Sequence, residues 1–249
     1  MNPKPYQIFL NGVEQQVTFP PNLDPNQVAA AIDSPMFKNW VASFDPRMTV
    51  KGIEFQSIDM FGSKVGFIKF KMKITDTATG KWLPDVVFMR SDTVAILVVL
   101  ESEEDHAEYA VLAVQARPNT GQYCFAEVLA GCLDDTNSFA GAAAHELSQE
   151  TDGALILRAD ELIDLAKESG IDGPIYLSPG GCTEAMRFFL CRRVVSEEFL
   201  ESLRDKATGV PEEGEFIKLK LVPVDDLETI PDAKTLVALH LYRMYIENP

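Results

Sequence analysis

The sequence predicts an α/β/α sandwich with a mixed central sheet and an N-terminal antiparallel β extension. Three observations carry that prediction. Two unbroken apolar runs, VAILVVL at 94–100 and YAVLAVQ at 109–115, have the length of strands and no polar side, as strands covered on both faces do. Residues 65–72 alternate instead: Val65, Phe67, Lys69 and Lys71 share one face while Gly66, Ile68, Phe70 and Met72 share the other, so this strand has one wet side. Helical segments at 139–150, 159–168, 196–206 and 232–248 then supply layers to cover a sheet.

Taken in order, residues 6–19 alternate loosely and are expected as a hairpin turning at Asn11-Gly12, a dipeptide suited to tight hairpin turns. Pro20, Pro21 and Pro25 break the pattern, and 24–42 is expected as one helix or two short ones. The period-two pattern runs over 55–90, with the ATGK turn at 78–81 joining two antiparallel strands, the second ending near Phe88. The acidic stretch 101–106 is the hairpin loop between the two apolar strands, and 123–130 is a strand leading into a glycine loop at Gly131. The helix at 159–168 is expected to carry Leu162, Ile163 and Leu165 inward. Strands at 187–195 and 216–222 frame a capped helix at 196–206, and the last helix is expected to pack Leu236, Leu239 and Met244 on the sheet. The implied organisation is a β-rich region at 1–90 and a second domain at 91–249.

The chain of 249 residues is 46% hydrophobic, enough for a large core and typical of a globular protein. Its 38 acidic against 22 basic side chains give a net charge of -16, which repels nucleic acid and anionic membranes, so neither is an expected partner. An anionic small molecule meets the same field and needs a metal ion or a locally basic pocket. Cys124, Cys132, Cys182 and Cys191 show no paired spacing and read as reduced thiols. No run of about 18 apolar residues and no basic, apolar leader is present, and the expected location is cytoplasmic.

The stretch 131–153, GCLDDTNSFAGAAAHELSQETDG, gathers carboxylates where a helix resists them. Ser138 or Asn137 can cap a helix over Phe139–Glu150, and Glu146, Gln149 and Glu150 then share one face near its C-terminal, negative pole. Between Arg117 and Arg158 there is no Lys or Arg, while Glu127, Asp134, Asp135, Glu146, Glu150 and Asp152 all fall there. Two readings stand on these residues: a solvated acidic face, or ligands for a hard divalent cation, which takes oxygen donors.

With its flanks this stretch resembles the Nudix box, G-x5-E-x7-R-E-U-x-E-E-x-G-U with U aliphatic. Gly131, Glu146, Leu147 and Glu150 match it in identity, and Asn137, His145, Gln149, Asp152 and Gly153 hold its spacing with other residues. Asp59-Met60-Phe61-Gly62, residues 65–71 and the SPGGCTE segment at 178–184 follow in the order of the plant-type Nudix ADP-sugar diphosphatases, and the resemblance spans about 32–245. It implies water attack on a nucleoside diphosphate sugar, with Mg²⁺ or Mn²⁺ held by Glu146 and Glu150, aided by Gln149 and a carbonyl of Ala130 or Gly131. It also implies a homodimer paired through the N-terminal sheet; a monomer with an extra layer is the alternative.

In the same resemblance Glu184 is the candidate general base, in a turn with Gly180 and Gly181 that would overhang the box; otherwise it is an exposed loop glutamate. Gln115 and Arg117 match a Q-x-R-x-x-x-G segment whose Arg faces the diphosphate, and Arg117 could equally pair with Glu127 as support. A binding or sensor protein that has lost turnover is the competing function. His145 stands where the family Arg orients the metal-binding carboxylates, with fewer donors than a guanidinium, or is merely an exposed helix residue. If it orients, His145→Arg raises turnover in a steady-state assay; an unchanged rate marks His145 as idle.

Overall fold

The computed structural model describes residues 4–133, 138–156, 158–209 and 216–247. They form two compact units, Met1–Asp92 with Ser178–Glu184 and Thr93–Leu177 with Ala185–Pro249.

In the first unit β1 (Tyr6–Leu10) and β2 (Val13–Thr18) make the expected hairpin. Its turn uses two left-handed residues, Asn11 at φ 51° and Gly12 at φ 76°, the types that tolerate that region best. Helices α1 (Pro25–Asp33) and α2 (Pro35–Ala42) follow, each with proline in its first turn. Asp24 caps the first by accepting from the Asn26 N–H, and Ser34 caps the second by accepting from the Phe37 N–H. The Ser34-Pro35 step therefore splits what could have been one helix.

Strands β3 (Met48–Phe61), β4 (Lys64–Asp76) and β5 (Val86–Arg90) complete a five-stranded sheet in the order β1-β2-β3-β4-β5. Its pairs are antiparallel except β2 with β3, which is parallel; a period-two pattern is the same for both. The first part of β3 went unread because register shifts between Val50 and Ile53 and again between Phe55 and Ser57 interrupt its alternation. Ile68, Phe70 and Met72 are buried as their shared face required. Phe37 of α2 meets Phe55 and Phe70 edge-on at 5.5 and 6.1 Å, and Trp40 meets Phe70 at 5.2 Å, tying helix to sheet.

The second unit contains β6 (Thr93–Ser102), β7 (Glu108–Arg117), β8 (Gln122–Cys132), α3 (Phe139–Glu150), β9 (Ile163–Asp164), α4 (Leu165–Glu168) and β10 (Met186–Val195). It continues with α5 (Glu197–Leu203), β11 (Ala207–Thr208), β12 (Ile217–Pro223) and α6 (Ala233–Glu247). The sheet order is β11-β12-β7-β8-β6-β10-β9, with β6 and β10 parallel, so the sheet is mixed. Strand β6 shows why its sequence has no polar side. Val94, Ile96, Val98 and Leu100 join a cluster with Ala143 and Leu147 of α3 and Leu200 of α5. Ala95, Leu97 and Val99 join another with Leu165 of α4 and Ala238, Leu239 and Tyr242 of α6. Helices on both faces make the α/β/α sandwich.

Two expected elements differ. Residues 159–168 are not one helix but a 3₁₀ turn (Ala159–Glu161), the edge strand β9 and the single turn α4. Ile163 and Asp164 pair with Leu190 and Phe189 of β10, and the Asp164 carboxylate accepts from the Lys167 N–H, which starts a new helix there. On α6 Leu239 is buried as expected, Met244 is half-buried, and Leu236 is exposed. The stripe runs instead through Thr235, Ala238, Leu239, Leu241 and Tyr242. Asn248 lies outside the described residues.

No disulfide links the four cysteines. Burial pushes the Cys191 thiol up to about 11, so near neutral pH it is a protonated, small apolar core residue. Among the described residues no helix is long and apolar enough to cross a membrane. The aromatic tie predicts that Phe70→Ala costs about 3–5 kcal/mol of stability, read as a lower urea midpoint; a change below about 1 kcal/mol contradicts that packing.

Candidate active site

The site is built where α3 docks on β8. Ser138 caps the helix, its Oγ accepting from the Gly141 N–H at 3.1 Å; the other cap candidate, Asn137, lies outside the described residues with Asp134 and Asp135. Ala142, Ala143 and Leu147 are buried against the sheet, which fixes the rotation of α3 about its axis. That rotation turns Glu146 and Glu150 towards β8. Glu150 is only 5% exposed, and its Oε2 accepts from the Ala130 N–H at 3.1 Å. Glu146 lies over Gly131: a Cβ there would fall 1.9 Å from Glu146 Cδ and 2.2 Å from its Oε1. Gly131 belongs to β8, paired with Val94, and not to a loop as expected. Glycine is needed because a carboxylate approaches the backbone, not because the chain turns.

The negative pole of α3 is answered from far along the chain. Lys206 Nζ donates to the Thr151 carbonyl at 3.1 Å and stands 3.5 Å from Asp152 Oδ2, a cation where the helix dipole favours one. The helix ends through two left-handed residues, Asp152 at φ 52° and Gly153 at φ 70°, with the Gly153 N–H donating to the Ser148 carbonyl at 2.8 Å. Asp152 thus serves where the box pattern has glycine because Asp tolerates this conformation. His145 is exposed and Gln149 half-buried.

Arg117 ends β7 beyond a bulge after Gln115. Its Nε donates to Glu127 Oε1 at 2.7 Å, so the supporting pair foreseen as an alternative is formed. Glu127 is 2% exposed, and Lys234 Nζ binds its other oxygen. Lys234 also contacts Asp232 Oδ1 at 3.1 Å. Asp232 Oδ2 accepts from the Thr235 N–H at 3.0 Å and from its hydroxyl at 2.7 Å, and that hydroxyl accepts from the Val128 N–H of β8 at 3.0 Å. Sequence reasoning missed Lys234, Asp232 and Thr235. A signal was present: Asp232 can cap α6, but Lys234 then places a cation in its first turn, at the positive pole.

Gly180, Gly181 and Glu184 belong to the first unit. There the Thr183 N–H donates to the Phe88 carbonyl at 3.1 Å, and Glu184 Oε1 lies 3.5 Å from Arg90 Nη1 with its side chain 15% exposed. Glu184 is therefore not an exposed loop glutamate. A Cβ on Gly181 would meet Ser178 Oγ at 2.8 Å, so this turn is tight.

Glu146, Glu150, the Gln149 amide oxygen and backbone carbonyls are oxygen donors, the chemistry a hard divalent ion takes, and the missing side chain at Gly131 lets a carboxylate sit against the strand. Among the described residues no group of three His, Cys, Asp or Glu comes together as a metal cluster. The fit is to an ion held by two carboxylates and completed by neutral oxygens.

A strand, a glycine under a glutamate and a helix carrying two carboxylates meet where α3 docks on β8. The model of the NUDIX domain matches residues 89–242, and the chain belongs to the Nudix hydrolase family. It is 40% identical over 226 residues to Nudix hydrolase 14, chloroplastic, of Arabidopsis thaliana, covering 86% of this chain and 72% of that protein. A solved structure of an ADP compounds hydrolase superposes with a TM-score of 0.53 at 16% identity, covering 82% of this chain and 97% of that one, a likeness of fold.

Gly131→Ala forces Glu146 from its place without adding or removing charge. It is expected to weaken Mn²⁺ binding about 10- to 100-fold in an electron paramagnetic resonance titration while the circular dichroism spectrum is kept. Unchanged Mn²⁺ affinity would mean that Glu146 holds no ion.

Proposed function

We propose that the chain hydrolyses the diphosphate bond of a nucleoside diphosphate sugar, of the ADP-glucose, ADP-ribose or UDP-glucose type, to a nucleoside monophosphate and a sugar phosphate. The observation that carries this reading is the placement of Glu146 and Glu150 together against Ala130 and Gly131. The solved structure that shares the fold is described as an ADP compounds hydrolase, and ADP-sugars are ADP compounds.

In this reading Glu146 and Glu150, with Gln149 and the Ala130 carbonyl, hold Mg²⁺ or Mn²⁺. A divalent ion bound there would neutralise diphosphate charge and acidify water. Arg117, with Gln115 beside it on β7, faces the diphosphate and donates to its oxygens, and Gly180 and Gly181 let backbone approach the substrate. Glu184 takes the proton of the attacking water as its oxygen joins phosphorus and the bridging oxygen leaves with the other phosphate. The β-rich region at 1–90 reads base and sugar and pairs two subunits into a homodimer. A cytoplasmic location is part of the proposal.

The place of Gln149, a neutral residue beside two carboxylates with no third among the described residues, favours a second reading as a nucleotide-binding or sensor protein with weakened turnover. One experiment decides: release of nucleoside monophosphate from a panel of ADP- and UDP-sugars, with and without Mg²⁺ or Mn²⁺, beside Glu150→Gln. Metal-dependent release that falls about 100-fold in the variant supports the hydrolase. No release from any sugar, with a raised melting temperature in one of them, establishes the binding protein instead.

A further inference from the structure

We infer that Lys234 is a positioning residue for Arg117, acting through Glu127, and that it keeps the terminal nitrogens of Arg117 available to an anionic ligand of the diphosphate class. The inference rests on the diphosphate-facing role proposed above for Arg117.

A carboxylate as buried as Glu127 is tolerated only when both oxygens are answered. Arg117 answers one and Lys234 the other. The manner of the first contact is informative. An Arg that serves only to neutralise a carboxylate gains most by pairing bidentately, whereas Arg117 uses Nε alone. Its side chain is 41% exposed, and its terminal nitrogens make no hydrogen bond to the described residues. The fork is held by its stem and left open.

Lys234 makes that arrangement stable. It is 12% exposed, and it sits in the first turn of α6, where local electrostatics disfavour a cation. Its target explains its position: it occupies Glu127 Oε2, while Asp232 and Thr235 tie it to the Val128 N–H of the same strand. Without Lys234, Oε2 has no cation and Glu127 draws a terminal nitrogen of Arg117 into a bidentate pair. The fork is then withdrawn from the ligand. In a chain of net charge -16, one such presented cation matters for any anion.

The test is a double-mutant cycle on ADP affinity, measured by calorimetry in EDTA so that the carboxylate pair takes no part. Arg117→Ala and Lys234→Met are each expected to raise the Kd for ADP about tenfold, and the double variant no further than Arg117→Ala alone. A purely structural Lys234 would give losses that multiply to about 100-fold, which overturns the inference. Wild-type protein that binds no ADP, or Arg117→Ala with unchanged affinity, overturns it together with the role of Arg117. Absence of turnover on every sugar nucleotide with the coupling intact removes only the hydrolase reading. Folding is followed by the thermal transition. If Lys234→Met does not fold, Glu127→Gln replaces it, with the same non-additive loss expected and multiplying losses counting against the inference.

Discussion

The second unit turns on one close approach: the side chain of Glu146 lies where a Cβ of residue 131 would be, while Glu150 takes the neighbouring Ala130 N–H. Both contacts require α3 to sit at one depth and one rotation on β8. Ala142, Ala143 and Leu147 set that depth, since small residues on the buried face let the helix come down onto the strand. Packing and site are therefore the same constraint. A change in core volume under α3 would move both carboxylates together.

Charge in this molecule is handled by partners remote in sequence. The acidic interval after Arg117 has no cation of its own, yet Lys206 reaches the end of α3 and Lys234 reaches Glu127. The first places a cation at a negative helix pole and is favourable locally. The second does the opposite, and the buried Glu127 justifies it. Together they let an acidic protein keep a few carboxylates close to the sheet without filling the region with basic side chains.

This pattern explains how much was legible in the sequence. The sandwich was legible because β6, buried on both faces, can only be written as an apolar run, and because β4 alternates cleanly. The helix carrying Glu146 and Glu150 was legible from its cap and spacing. Residues 159–168 misled because their apolar spacing suits a helix, while the pairing of Ile163 and Asp164 with β10 is a tertiary choice. Gly131 was assigned to a loop because glycine more often marks a turn than a carboxylate's bed. Lys234 was invisible in its role, since its partner stands 107 residues away.

The divalent-ion site proposed above lies at the seam between α3 and β8. The most direct test is anomalous diffraction from a crystal soaked with Mn²⁺ and ADP. The expected result is an anomalous peak coordinated by the carboxylates of Glu146 and Glu150 beside Gly131. A peak elsewhere, or full occupancy at other carboxylates with none at this seam, would contradict it.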